Sequence, residues 1–397
     1  MIAFGPYAEL LATPHLSRLV LVSLVGRLPI GTATLALVLF IQGRTGSFGD
    51  AGMVGALYVL GLALMAPLLG RLMDRFGPRP ILAVTAVGYP IALAGVALLG
   101  ANGAAPALVA AGALLAGASL PPITVCMRAL YPRLVSEARL LKAAYSVDSA
   151  LVETVFVLGP SLVALLVGLG APVAAVALAG ACGSLGAVLF LRARAAREWR
   201  APAPHGERHL LGPLARPGLR GVLVSVLFYA CAFGLFEMAV TGFAASRGVP
   251  AAAGVILAMA ATGGVIGVLA FGSHDWKLPA RSQWLTLMVL MLCGLLLLIP
   301  IGNLYLFAAA GLLAASPMAP VIAAQSVLVS SLAPKGMLAE SFTWSATALL
   351  TGVSSGIAAG GALLEVASPA WVLACAAACT FIAIAAGVLG PWRSGNS

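Results

Sequence analysis

The sequence predicts an all-α membrane protein of twelve transmembrane helices arranged as two pseudo-symmetric six-helix bundles. Three observations predict it: apolar runs of spanning length recur along the whole chain, basic residues collect on alternate loops, and the two halves align with each other.

Of 397 residues, 61% are hydrophobic and 9% are charged, whereas soluble domains carry about 25% charged residues. A water-soluble fold has no interior large enough for that apolar surface. About 20 apolar residues cross a bilayer as a helix. Such runs are expected at 18–41, 51–69, 80–100, 105–130, 143–168, 172–193, 219–246, 251–272, 281–300, 303–331, 338–365 and 369–390. The first run follows a polar-flanked start and has no small-residue cleavage site, so it is expected to persist as the first span.

The net charge of +10 raises the question of a nucleic-acid partner, and the position of the charges answers it. They fall in the gaps between apolar runs. The loops at 42–50, 101–104, 169–171, 247–250, 301–302 and 366–368 hold two basic residues, Arg44 and Arg247. The opposite face holds Arg71, Arg75, Arg79, Arg133, Arg139, Lys142, Arg192, Arg194, Arg197, Arg200, Arg208, Arg216, Arg220, Lys277, Arg281 and Lys335. The positive-inside rule then expects both termini in the cytoplasm of a bacterial inner membrane, with the lipid bilayer and not nucleic acid as the partner of the basic face. The Pro-, Gly- and Arg-rich stretch 194–218 reads as a cytoplasmic linker between an N-terminal bundle, 1–193, and a C-terminal bundle, 219–397.

The six cysteines lie inside apolar runs, and only Cys375 and Cys379, at i and i+4, have ligand-like spacing. Inert buried thiols and no metal are expected. His15, His205, His209 and His274 fall in cytoplasmic segments, and no phosphate loop or nucleophile with a nearby His is present, so an enzyme is not expected.

A shift of 202 residues places Val20, Ser23 and Gly46 on Val222, Ser225 and Gly248, and Gly70, Arg75 and Arg79 on Gly272, Lys277 and Arg281. Later in each half a shift of 197 places Tyr145, Ser146, Thr154 and Gly159 on Phe342, Thr343, Thr351 and Gly356. Matches that keep order at a nearly constant offset indicate a duplication. Halves repeated in this sense suit alternating access around a central site.

The run GRLMDRFGPRP, Gly70 to Pro80, resembles the loop signature of the major facilitator superfamily, G-x-x-x-D-R-x-G-R-R. Gly70, Asp74, Arg75, Gly77 and Arg79 match, and Pro78 replaces the first Arg of the closing pair. Gly70 allows close helix approach, Asp74 can cap a helix end and pair with an Arg, and Gly77 permits a tight turn. The second copy, GSHDWKLPAR from Gly272 to Arg281, is degraded. The resemblance implies the superfamily's twelve-helix fold, secondary transport and a conformational-switch role for the matching residues.

In span five, LGPSL with Gly159 and Pro160 is similar to the Gly-Pro signature of the superfamily's drug-and-proton antiporter branches, which bends the helix and packs it closely. This chain departs from the pattern with Val163 and Ala164 in place of a trailing Gly pair. In span four, Ala113 stands where many proton-coupled exporters carry a buried Arg, so a mechanism built on that Arg is not implied.

Ionisable residues inside spans are costly and therefore point to function. Arg27 lies about 14 Å into span one and Glu153 about 16 Å into span five at 1.5 Å per residue, depths at which they could pair. Asp148 lies nearer the start of span five, and Glu237 interrupts the outer half of span seven. The five-residue spacing of Asp148 and Glu153 puts them on divergent faces. Arg128, near a helix end, is explained by snorkelling. Pro121 with Pro122, and Pro317 with Pro320, occupy corresponding places in the halves and are candidate flexible cavity-lining segments.

The function expected from this set is proton-coupled efflux of small amphipathic molecules by a monomeric secondary transporter that needs no cofactor beyond a proton gradient. The alternative, favoured by Arg27 as a midspan cation, is proton-coupled uptake of a small organic anion or nutrient. A receptor or assembly factor without transport ranks below both.

Overall fold

A computed structural model describes residues 5–12, 16–199, 212–249, 252–274 and 276–390. The central part of the expected linker, with Arg200, His205, Arg208 and His209, lies outside the described residues, as does His15.

In chain order the helices are α1 Gly5–Ala12, α2 Leu16–Thr45, α3 Phe48–Phe76, α4 Pro78–Ala101, α5 Pro106–Ala118, α6 Ile123–Leu134, α7 Ala138–Gly168, α8 Pro172–Arg192 and α9 Arg194–Glu198. After a 3-10 turn at Pro213–Ala215 follow α10 Pro217–Ser246, α11 Ala252–Ser273, α12 Ala280–Leu298, α13 Leu304–Ala315, α14 Met318–Leu332, α15 Leu338–Val366 and α16 Pro369–Leu389. Among the described residues there is no strand, and 12 helical segments are long and apolar enough to cross a membrane.

Local chemistry sets the helix ends. Proline opens α4, α5, α8, α10 and α16, where its missing N–H costs nothing. The Ser47 side chain accepts from the Asp50 N–H at the start of α3, and Asn303 accepts from the N–H groups of Tyr305 and Leu306 at the start of α13. Gly46 and Gly248, which the internal alignment pairs, both turn the chain at positive φ, +69° and +75°.

Two differences from the expected spans have physical causes. Helix α3 continues to Phe76, beyond the apolar run that ends at 69, because Arg71, Asp74 and Arg75 are compatible with helix and a basic last turn suits its C-terminal dipole. Helix α7 likewise begins at Ala138, a turn before the apolar run. Spans four and ten are not single helices. The chain breaks between α5 and α6 at Pro121 and Pro122, and between α13 and α14 at Ser316 and Pro317, where proline removes backbone donors.

The chain divides into two compact units. One holds Leu11–Leu134 and Thr154–His205, and the other holds Met1–Leu10, Val135–Glu153 and Gly206–Ser397, as far as these are described. Helix α7 thus contributes its residues up to Glu153 to one unit and those from Thr154 to the other.

Within each unit small residues set the helix crossings, as expected where lipid offers no hydrophobic drive for association. In the first, a Cβ on Gly61 of α3 would run into the Leu114 carbonyl of α5, and a Cβ on Gly31 of α2 into the Val155 carbonyl of α7. In the second, Gly263 of α11 meets the Leu312 carbonyl of α13, and Gly234 of α10 meets the Val353 carbonyl of α15. The same pairs of spans, two with four and one with five, eight with ten and seven with eleven, therefore repeat the same backbone contact.

Candidate functional site

In the unit containing α2, Arg27 is fully buried on that helix beside Gly26, whose α-carbon packs on Gly186 of α8. The signature residues Gly70, Asp74 and Arg75 lie in the last turns of α3, and Gly77 and Arg79 carry the chain into α4. Gly77 adopts φ +80°, a conformation that a side chain would strain, and so makes the turn between the two helices possible. Asp74 is buried while Arg75 and Arg79 are exposed, the Arg75 guanidinium lying over the Phe76 ring at 5.0 Å. Arg133, at the end of α6, is within electrostatic reach of Asp74 and lies over the Trp199 ring at 4.6 Å. Trp199 is buried and its backbone carbonyl faces Gly77. The start of the long central loop is therefore seated on the signature turn. Trp199 sits in a polar, Arg-rich stretch, so no apolar pattern marks it as a contact.

Gly159 of α7 lies against the backbone of Gly31, where a Cβ would come within 2.6 Å of the carbonyl, and α7 runs unbroken through Pro160.

In the unit containing α10 to α16, the first half of α7 carries Asp148, which is fully buried, and Glu153, which is partly buried. The Ser149 hydroxyl, 2% exposed, has no hydrogen-bond partner among the described residues. At the start of the same helix Lys142 donates to the His274 carbonyl and lies over the Phe271 ring at 5.5 Å. The Tyr7 hydroxyl of α1 donates to the Leu269 carbonyl at 2.5 Å, and the Trp276 indole donates to the Phe271 carbonyl at 3.2 Å. Three donors so converge on the C-terminal end of α11, whose last carbonyls lack intrahelical partners and whose dipole favours a cation such as Lys142. Gly272, the counterpart of Gly70, makes room: a Cβ there would collide with Ser146 and the Tyr7 hydroxyl. Burial raises the Tyr7 phenol pKa above its usual value, so it remains a donor at neutral pH.

Arg281, in the degraded second copy of the signature, donates to the Gly387 and Val388 carbonyls at the end of α16, at 3.0 and 2.7 Å. Glu237 is exposed on α10, and its own carbonyl accepts from the Thr241 hydroxyl.

A neutral polar cluster completes this unit. The Tyr229 hydroxyl of α10 is hydrogen-bonded to the Gln325 carbonyl oxygen of α14, and the Gln325 amide donates to the Ser345 hydroxyl of α15. All three are buried. Nearby in sequence on α15, the Trp344 indole N–H and the Thr347 hydroxyl are buried without hydrogen-bond partners among the described residues. These residues carry no charge, and a search for intramembrane charge overlooks them. The available signal is Gln325 as an amide inside an otherwise apolar span, together with the hydroxyl-rich run SFTWSAT from Ser341 to Thr347. The Cys231 and Cys379 sulfurs lie 3.9 Å apart as free thiols, and among the described residues no group of three or more potential ligands is placed to hold a metal.

Among the described residues, twelve segments long and apolar enough to span a membrane, two of them broken at proline and with charged and polar side chains buried inside them, define a class, the polytopic membrane proteins. The chain belongs to the Major Facilitator Superfamily, whose family model matches residues 19–348, and it is accordingly a secondary transporter rather than an enzyme. It is 28% identical over 280 residues, 67% of this chain and 68% of the relative, to an uncharacterized MFS-type transporter, y4rN, of Sinorhizobium fredii (strain NBRC 101917 / NGR234). Among solved structures it is similar to a bacterial homologue of the iron transporter ferroportin in an outward-facing state, with TM-score 0.78 and 15% identity over 94% of this chain and 98% of that one. The human organic anion transporter MFSD10 (TETRAN) superposes with TM-score 0.74 and 16% identity over 95% and 99%, and a variant of the E. coli fucose:proton symporter FucP with 0.66 and 14% over 94% and 98%. At these identities the likeness concerns the fold alone.

Proposed function

We propose that this transporter exports small amphipathic molecules in exchange for protons by alternating access, as a monomer in a bacterial inner membrane with both termini and the central loop in the cytoplasm. The observation that carries the proposal is the pair of carboxyl side chains on one membrane-spanning helix, partly buried Glu153 and, earlier on the same helix, fully buried Asp148. Ionisable side chains are costly within a membrane span, and where they occur they mark proton relays and substrate pathways. In this reading Glu153 or Glu237 exchanges the proton with Asp148 as a further candidate, Arg27 holds an anionic group or a carboxylate, and Tyr229, Gln325, Ser345 and Trp344 supply neutral recognition.

Uptake of a small organic anion is the second reading, and Arg27 favours it as a fully buried cation in span one. Overproduction in intact cells separates the two. An exporter lowers cellular accumulation of amphipathic dyes and raises tolerance to them, while inward flux of an organic acid without outward dye flux overturns the first reading.

A further inference from the structure

Helix α1 and the start of α7 belong to the first half of the sequence, but they pack in the unit that holds α10 to α16. Pro6, Tyr7 and Leu10 are buried while Ala8 and Glu9 are exposed, so this short helix is seated by one face. Glu9 fastens it to α7, accepting from the Arg139 guanidinium at 2.6 Å, and Arg139 also holds Glu137 at 3.1 Å. Tyr7 fastens it to α11 through the Leu269 carbonyl, and Lys142 ties α7 itself to the His274 carbonyl just past the end of α11. The pieces meet at Gly272, where a Cβ would strike both Ser146 of α7 and the Tyr7 hydroxyl.

The bonds to α11 thus join the two halves of the sequence. Tyr145 and Phe342, which the internal alignment pairs, have ring centroids 6.0 Å apart, so the start of α7 also meets its own counterpart, the start of α15. Parallel repeats transport by rocking against each other, and contacts between them on one face break when that face opens. Helix α7 leaves no way around this. It runs unbroken from Ala138 to Gly168, with no proline before Pro160, and sharp kinks arise mostly at proline or at comparable interruptions. Beyond Glu153 it is held to α2 by the Val155 carbonyl and Gly159, both against Gly31. A helix fixed in that way carries its first turns with it, and the bonds from Tyr7 and Lys142 to the carbonyls of α11 and its end are the ones that yield.

We infer that α1 is a strap that holds the transporter closed on its proposed cytoplasmic face. Glu9 ties the strap to α7, the Tyr7 hydroxyl pins it to α11 beside Lys142, and opening on that face requires both pins to let go. It rests on the alternating-access reading and the proposed orientation, whatever the substrate or the coupling ion.

Ser341 serves as the reporter, because it is fully buried next to Phe342 on α15 while the α1 contacts named above fall on α7 and α11. The full chain carrying Ser341→Cys is treated with a membrane-impermeant maleimide in inside-out membrane vesicles, and labelling is read peptide by peptide by mass spectrometry. Slow labelling is expected in this background. Adding Tyr7→Phe is expected to speed it about two- to tenfold, the shift that loss of one hydrogen bond allows, and Lys142→Met by at least as much. Glu9→Gln, a change at an exposed ion pair, is expected to speed it about twofold. The native thiol of Cys126, which is fully buried, reports unfolding and is expected to stay protected in every variant. A rise that appears equally at Cys126, or a rate at position 341 that neither Tyr7→Phe nor Glu9→Gln changes, overturns the strap and leaves alternating access standing. No labelling at position 341 in any variant means that the halves do not part on this face, and the alternating-access reading falls together with the strap.

Discussion

Asp148 and Gly159 lie on one helix, α7, and place opposite demands on it. Asp148 is a carboxyl group held away from water, and Glu153 lies partly buried a little more than a turn beyond it. Under the proposed coupling, Glu153→Gln or Glu237→Gln abolishes transport driven by a pH gradient while counterflow of substrate at equal pH persists. Unchanged gradient-driven transport in both variants would sink the assignment. Gly159 is a packing position, with its α-carbon on the Gly31 backbone. Gly159→Val should destabilise by about 1–3 kcal/mol, the usual cost of overpacking, read as a lower apparent melting temperature in detergent; an unchanged melting temperature would show that α2 and α7 separate freely. The sequence marks the charged residues readily, because ionisable side chains are rare in apolar runs. It does not mark Tyr229, Gln325 and Ser345, since neutral polar residues are common enough in membrane helices that only their convergence from α10, α14 and α15 gives them meaning.

At the scale of elements, hydrophobic run length was sufficient to place the spans within a few residues, because the bilayer imposes one length on all of them. It was insufficient where polar residues continue a helix, as at the end of α3 and the start of α7. Of the prolines singled out in the sequence, Pro121, Pro122 and Pro317 lie at the breaks of spans four and ten, while Pro320 lies inside α14. The cap on α11 was not legible, because it brings Tyr7 and Lys142 from distant segments to the Leu269 and His274 carbonyls, beside the local bond from Trp276 to Phe271. Each of these donors should contribute about 0.5–1.5 kcal/mol, more for the charged one. Tyr7→Phe combined with Lys142→Met is therefore expected to increase hydrogen exchange in α1 and in the last turn of α11. Protection equal to wild type would mean that this cap contributes nothing to holding α1 in place.

For the whole molecule, the internal repeat visible as constant sequence offsets reappears as repeated backbone contacts, Gly61 on Leu114 with Gly263 on Leu312, and Gly31 on Val155 with Gly234 on Val353. The repeat is legible because glycine is the residue that permits such contacts. The substrate is not legible, because recognition depends on side chains brought together from many helices. The proposed orientation predicts that thiol reagents reach Arg44→Cys and Arg247→Cys from outside intact cells and reach Arg79→Cys only after permeabilisation, each compared with the chain carrying its six native cysteines. The reverse pattern would invert the topology. The central claim, proton-coupled secondary transport, is tested most directly by flux of a panel of dyes, organic acids and sugars in proteoliposomes under an imposed pH gradient. The account predicts that a dye moves against its own gradient as protons move the other way, and that the movement stops when the pH gradient is collapsed. Dye flux that is indifferent to the pH gradient, or the absence of flux for every compound, would contradict it.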